Sequence, residues 1–82
     1  MQSLLEYVVK GLVDQPGHVE IRQMEGEEGV KFLVLVAERD AGIVIGKRGF
    51  VVKAIRQLLK YCGQQNRLRV FLDVEAHGAA SN

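Results

Sequence analysis

An α+β fold is predicted for this 82-residue chain, in the order helix, strand, strand, helix, helix, strand, with a three-stranded sheet carrying its helices on one face. Three observations predict it. Apolar residues recur at helical spacing across residues 4–12 and again across 51–62. Residues 19–22, 30–37 and 68–74 are instead β-branched or alternating stretches of strand length. Finally, Gly46-Lys47-Arg48-Gly49 makes a tight turn between a short apolar segment and the longer helical stripe.

Each element has its own signal. Ser3-Leu4-Leu5-Glu6 reads as a capping box, Ser3 capping the first helix and Glu6 reaching back. Leu4, Leu5, Val8, Val9 and Leu12 share one stripe, and Pro16-Gly17 stops the helix. Val19 and Ile21 alternate with Glu20 and Arg22 in a strand with one wet face. Gly26-Glu27-Glu28-Gly29 is a turn, so this strand and the next, residues 30–37, form a hairpin. Leu33 and Leu35 make the second strand apolar on both faces, which suits a central strand or an association surface. Glu38-Arg39-Asp40 leads into a short helix ending at Gly46. The following helix places Val51, Val52, Ile55, Leu58, Leu59 and Cys62 on one face and Lys53, Arg56, Gln57 and Lys60 on the other, with Gly63 as C-cap. Leu68, Val70, Leu72 and Val74 alternate with Arg67, Arg69, Phe71, Asp73 and Glu75 in the last strand. Residues 1–75 form one domain, and residues 76–82 are read as a flexible C-terminal tail.

Composition narrows the classes. Hydrophobic residues make up 48% and charged residues 26%, as in ordinary globular chains and unlike disordered ones. The longest apolar run, residues 32–37, is far short of the ~20 residues of a membrane span, and no basic leader with a long apolar core opens the chain. A cytoplasmic protein without a membrane partner is expected. The lone Cys62 cannot form an internal disulfide, and no Cys/His cluster points to zinc, so no metal or cofactor is expected.

The glycine turn carries the chemistry. Two glycines three apart let backbone lie against a phosphate, and the helix that follows aims N–H groups and its positive dipole end at the same spot. Lys47 and Arg48 add mobile positive charge there. Net charge is only +1, but its distribution is uneven. Residues 41–72 hold seven cations (Lys47, Arg48, Lys53, Arg56, Lys60, Arg67, Arg69) and no carboxylate, whereas residues 1–40 hold four cations against eight carboxylates. A segregated basic surface around a phosphate-ready loop is the footprint of a polyanion site. The competing reading is a solvated face whose cations pair with the acidic half.

The pattern Gly42-x-x-Ile45-Gly46-x-x-Gly49-x-x-Val52-x-x-Ile55 has the spacing of the K-homology (KH) signature, in which two helices flank a G-x-x-G loop. The element order resembles the type II KH arrangement. Ile45-Gly46-Lys47-Arg48-Gly49 followed by Lys53-Ala54-Ile55-Arg56, in so short a chain, resembles more specifically the small bacterial single-KH family called KhpA, over residues 1–75. The resemblance implies single-stranded RNA binding, with the loop clamping about four nucleotides and bases lying over an apolar groove. By position, Gly46, Lys47, Arg48 and Gly49 contact phosphates, Ile43 and Ile45 lie at the groove, and Lys53 and Arg56 extend the electrostatic track. Val52 and Ile55 match the signature as core. The resemblance further implies RNA-chaperone or post-transcriptional work, with links to cell shape and cell-wall regulation. It also implies pairing, as a homodimer or with a larger Jag-type KH protein. Many sequences of the family carry a basic or polar residue where this chain has Phe50, so Phe50 and Ile43 are candidate interface residues. Phe50 stacks on a base, packs on a partner, or covers the end of the core.

Gly42-x-x-x-Gly46-Lys47-Arg48 differs from a Walker loop by one residue of spacing and by the missing Ser/Thr after the lysine. His18, His77, Asp73, Glu75 and Cys62 form no catalytic constellation by spacing, so neither an enzyme nor a small-molecule substrate is expected. A protein-interaction module with a KH fold and little RNA affinity, acting through homo- or heterodimerisation, is the alternative to RNA binding.

Overall fold

A computed structural model describes residues 1–78. Its elements are α1 (Gln2–Leu12), β1 (Glu20–Gly26), β2 (Gly29–Val36), α2 (Glu38–Ile45), α3 (Phe50–Gln65) and β3 (Val70–Ala76), with 3-10 turns at Pro16–His18 and Lys47–Gly49. The α+β order and the three-stranded sheet agree with the sequence expectation. Strand order is β1-β2-β3, β1 antiparallel and β3 parallel to β2, so the sheet is mixed. Parallel neighbours require a long crossover, and here it consists of α2, the glycine loop and α3.

The alternation of β2 locates the core. Val30, Phe32, Val34 and Val36 all point to one face and are buried, beside Val70 and Leu72 of β3. Leu5 and Val9 of α1, Val44 of α2, and Ile55 and Leu59 of α3 close over the same face. All three helices therefore lie on one side of the sheet. On the other side Lys31, Leu33 and Leu35 run between Glu20, Arg22, Met24 and Phe71, Asp73, Glu75. Lys31 pairs there with Asp73 at 3.0 Å. Leu35 is buried despite facing outward, because β2 is central and both neighbouring strands crowd it.

One buried polar group ties the crossover to the first helix. Asp40, fully buried in the first turn of α2, accepts the backbone N–H groups of Asp14 (3.2 Å, Oδ1) and Gln15 (3.0 Å, Oδ2). It satisfies a loop that would otherwise bury two orphan donors. A second tie is His77, whose Nε2 lies 2.7 Å from the His18 carbonyl oxygen while its N–H donates to Val36. The end of β3 is thus held to the start of β1.

Several local expectations change. The capping box does not form: α1 begins at Gln2 with Met1 at its N-cap, so the Ser3 hydroxyl lies two positions too far inside to cap. Glu6 pairs with Lys10 at 2.7 Å instead. The α1 stripe is narrower than its sequence, since Leu5 and Val9 are buried but Leu4 and Leu12 are partly exposed. Cys62 is half-buried and Leu58 exposed, both at the rim of the apolar face of α3. β3 begins at Val70, leaving Leu68 exposed, and runs through Ala76, one residue past the expected boundary. Of the expected tail, residues 79–82 lie outside the described residues.

Gly63 is the clearest correction. It is not the cap of α3, which continues to Gln65; it is a buried interior residue pressed against the start of β3. A Cβ there would lie 2.6 Å from the Leu68 carbonyl oxygen and 2.7 Å from Val70 Cγ2. Two stability losses are expected. Gly63→Ala should cost about 1–3 kcal/mol by overpacking. Asp40→Ala should cost about 2–4 kcal/mol by stranding the Asp14 and Gln15 N–H groups, with Asp40→Asn losing less because one carbonyl acceptor remains. Urea unfolding of the three variants checks both values and their order.

Candidate nucleic-acid interface

The loop between α2 and α3 is four residues long, Gly46 to Gly49, and its glycines do different work. Gly46 N–H donates to the Gly42 carbonyl at 2.9 Å, ending α2, and Gly49 N–H donates to the Gly46 carbonyl at 3.1 Å. Gly46 sits at φ 76, ψ 172, and a Cβ on it would meet Val51 Cγ2 at 2.4 Å. Both backbone and space demand glycine there. Gly49 is left-handed (φ 74) but roomy, with Lys53 Cε 3.8 Å from a built Cβ. Its bare Cα leaves the outer side open, and the Lys53 side chain folds back toward the loop.

Gly49 occupies the N-cap of α3 and offers no side-chain acceptor, so no side chain caps the first-turn N–H groups. The Phe50 N–H is taken by the Lys47 carbonyl, and the positive end of a 16-residue helix lies beside two exposed cations, Lys47 and Arg48. Arg48 itself is left-handed at φ 56, an unusual conformation for a side chain of its size. Lys47, Arg48, Phe50, Val51 and Lys53 border one hollow. An anion placed there meets backbone donors, a helix dipole and three mobile cations at once.

The acidic half does not neutralise this surface. The ion pairs among the described residues are Lys10–Glu6, Arg22–Glu20 and Lys31–Asp73, and none involves a cation of the 41–72 block. The hollow at the glycine loop has no carboxylate in its lining, whereas Arg56 and Lys60 share a groove with Glu25, Glu27, Glu28 and Asp73.

The structure places the remaining candidates less uniformly. Arg56 is half-buried and donates through Nη2 to the Leu72 carbonyl at 3.1 Å, capping the free edge of β3. Together with Lys60 it lines a groove that also takes in Val70, Phe71, Leu72, Asp73 and the Glu25–Glu28 hairpin tip. Ile43 and Ile45 are both partly exposed, on either side of buried Val44. About 100° of turn per residue sets them on opposite flanks of α2, so they do not line a single wall. Phe50 is 73% exposed, which removes the reading that it covers the core; Val52 and Ile55 do pack into it.

Gly42 was given no separate role by sequence reasoning. It lies inside α2 with nothing within 4 Å of a built Cβ, so the fold has no need of a glycine there. The available signal was a glycine in a helix interior, which usually has a packing or functional reason. Its effect is to leave the outer surface of α2 flat beside the loop.

A family model for the KhpA/KhpB KH domain matches residues 2–74. The chain belongs to the KhpA/KhpB KH-domain family. Its KhpA relatives include proteins named RNA-binding protein KhpA. That of Chlamydia pneumoniae is 39% identical over 74 residues, covering 90% of this chain and 95% of the relative. That of Clostridium acetobutylicum is 38% identical over 74 residues, covering 90% and 99%. That of Borreliella burgdorferi is 38% identical over 72 residues, covering 88% of each. Membership accounts for the type II KH-like architecture.

Two glycine substitutions should move stability in opposite directions. Gly46→Ala collides with Val51 and forces an unfavourable φ, so a loss of about 2–4 kcal/mol is expected. Gly42→Ala meets open space inside a helix and should gain about 0.5–1 kcal/mol. Thermal melts of the two variants check the signs.

Proposed function

We propose that the chain binds single-stranded RNA, with the Gly46-Lys47-Arg48-Gly49 loop clamping the phosphate backbone. The observation that carries this reading is the cation block, free of ion pairs and built on a glycine loop that the fold itself requires. The naming of the relatives as RNA-binding proteins supports the choice of RNA. Phosphates dock on the loop amides and on Lys47, Arg48 and Lys53, and Ile43 or Ile45 gives apolar contact near the loop. Arg56 contributes its charge from the edge of β3, where its anchored guanidinium is held still. Bases find apolar contact on Phe71, 43% exposed in the groove beside Arg56 and Lys60. The setting is cytoplasmic RNA chaperoning or post-transcriptional regulation, with no catalysis and no small-molecule substrate.

A second, compatible reading is supported by α3. Its outward stripe, Phe50, Ala54, Leu58 and Tyr61, is exposed and carries no charge, with Phe50 at 73% and Tyr61 at 61% exposure. Such a stripe fits a partner helix. An antiparallel two-fold pairing sets Phe50 of each copy against Tyr61 of the other, across the small Ala54. A larger Jag-type KH protein is the alternative occupant, in keeping with the joint KhpA/KhpB family name. Pairing raises effective concentration, which offsets the weak affinity of a single small clamp.

Replacing Lys47 and Arg48 together by Asp tests the clamp. RNA affinity is expected to fall roughly a hundredfold at low salt, with a salt slope lower by about 1.4, while circular dichroism and self-association stay as in wild type. Unchanged affinity would sink the clamp. Sedimentation tests the pairing surface: wild type should run as a dimer at high concentration and Phe50→Ala should shift toward monomer. If both run as monomers, the α3 stripe does not pair two copies.

A further inference from the structure

Two residues other than glycine have positive φ among the described residues, and both are arginines of the basic block. Arg48 (φ 56) precedes α3 in the glycine loop; Arg67 (φ 57) follows α3 in the turn to β3. The left-handed position after a helix normally goes to glycine or asparagine. Here an asparagine is at hand, yet Asn66 occupies the C-cap at φ −110 and the arginine takes the left-handed place. The turn is otherwise well made. Asn66 and Leu68 N–H both donate to the Gly63 carbonyl, at 3.0 and 2.7 Å, and Arg67 N–H donates to Gln64 at 3.1 Å. The backbone thus demands left-handed geometry at 67, and the chain supplies a disfavoured cation whose exposed side chain makes no ion pair among the described residues.

The surroundings of that turn are also cationic. Lys60 and Arg69 border a hollow with Gln64 and Leu68, and its Lys60, Val70 and Phe71 wall is shared with the groove beside Arg56. Cations therefore follow one flank of α3 from Lys53 through Arg56 and Lys60 to the Arg67–Arg69 turn. A cation past a helix C-terminus also suits the helix dipole, but that attraction explains neither a left-handed arginine nor the accompanying Lys60 and Arg69. Glu25, Glu27, Glu28 and Asp73 line the same groove; the three glutamates pair with none of these cations, and Asp73 is paired with Lys31.

We propose that the α3–β3 turn is a second phosphate-binding subsite, in which Arg67, Arg69 and Lys60 hold the backbone of the same RNA strand one helix length from the glycine loop. The proposal rests on the RNA-binding reading above and adds a requirement for length. The 16 residues of α3 span about 24 Å, or roughly seven nucleotides at a stacked rise of about 3.4 Å. A tetranucleotide fills the first site only, and a dodecanucleotide reaches both.

The test compares oligouridylates of four and twelve residues on wild type, Arg67→Gly and Arg67→Lys, with melts of all three proteins. Wild type should bind the longer strand more tightly. Arg67→Gly should melt about 4–8 °C higher, because glycine suits the left-handed turn. The same variant should bind the dodecamer about threefold to tenfold more weakly, with a salt slope lower by about 0.7. Tetramer affinity should change less than twofold, and Arg67→Lys should keep dodecamer binding within about threefold of wild type. Dodecamer binding left intact in Arg67→Gly overturns the subsite, as does an equal loss for both lengths. Failure of wild type to bind either oligonucleotide overturns the RNA-binding reading itself, and the subsite with it.

Discussion

Parallel pairing of β2 with β3 is the constraint on which the rest depends. Two parallel neighbours cannot be joined by a hairpin, so the chain must leave the sheet, cross it and return. The crossover is α2, the glycine loop and α3, and both helices find their partners on the single apolar face formed by Val30, Phe32, Val34 and Val36. The loop is where the crossover reverses. It stays short because Gly46 has no side chain to collide with Val51. A position demanded by sheet topology thus becomes one where backbone amides and a helix N-terminus are presented outward.

Electrostatics then distinguishes this surface from an ordinary helix–helix turn. Three of the eight carboxylates of residues 1–40 are used locally, Glu6 with Lys10, Glu20 with Arg22, and Asp40 on backbone amides, while Asp73 is held by Lys31. None of these reaches the 41–72 cations. Buried Asp40 does more than satisfy a loop: by joining α2 to the end of α1 it fixes the helix that carries the glycine loop. Arg56 shows the opposite arrangement, a cation spent partly on structure because the free edge of β3 offers a carbonyl within reach.

Legibility differed by kind of feature. Helix and strand identities were readable because hydrophobic periodicity reports burial directly, and the glycine loop was readable because its residue types have few other uses. The misses are all matters of one residue or one neighbour. Ser3 looks like a cap, but the helix begins two residues earlier and the hydroxyl is misplaced. Gly63 looks like a helix end; its true reason is the Leu68 carbonyl pressed against it, which belongs to another element. The His77 contact with His18 joins residues 59 apart in sequence, with no local pattern to announce it. Phe50 has the composition of a core residue and the exposure of a surface one.

By itself the sequence determined the element order, the inner face of each strand and the identity of the G-x-x-G loop, because these follow from residue type and spacing along the chain. Only the tertiary structure decided which cations stay unpaired, which glycines are required by space, and that left-handed arginines stand at both ends of α3. Those properties depend on distances between elements and on backbone angles imposed by packing, and neither quantity is written in local periodicity.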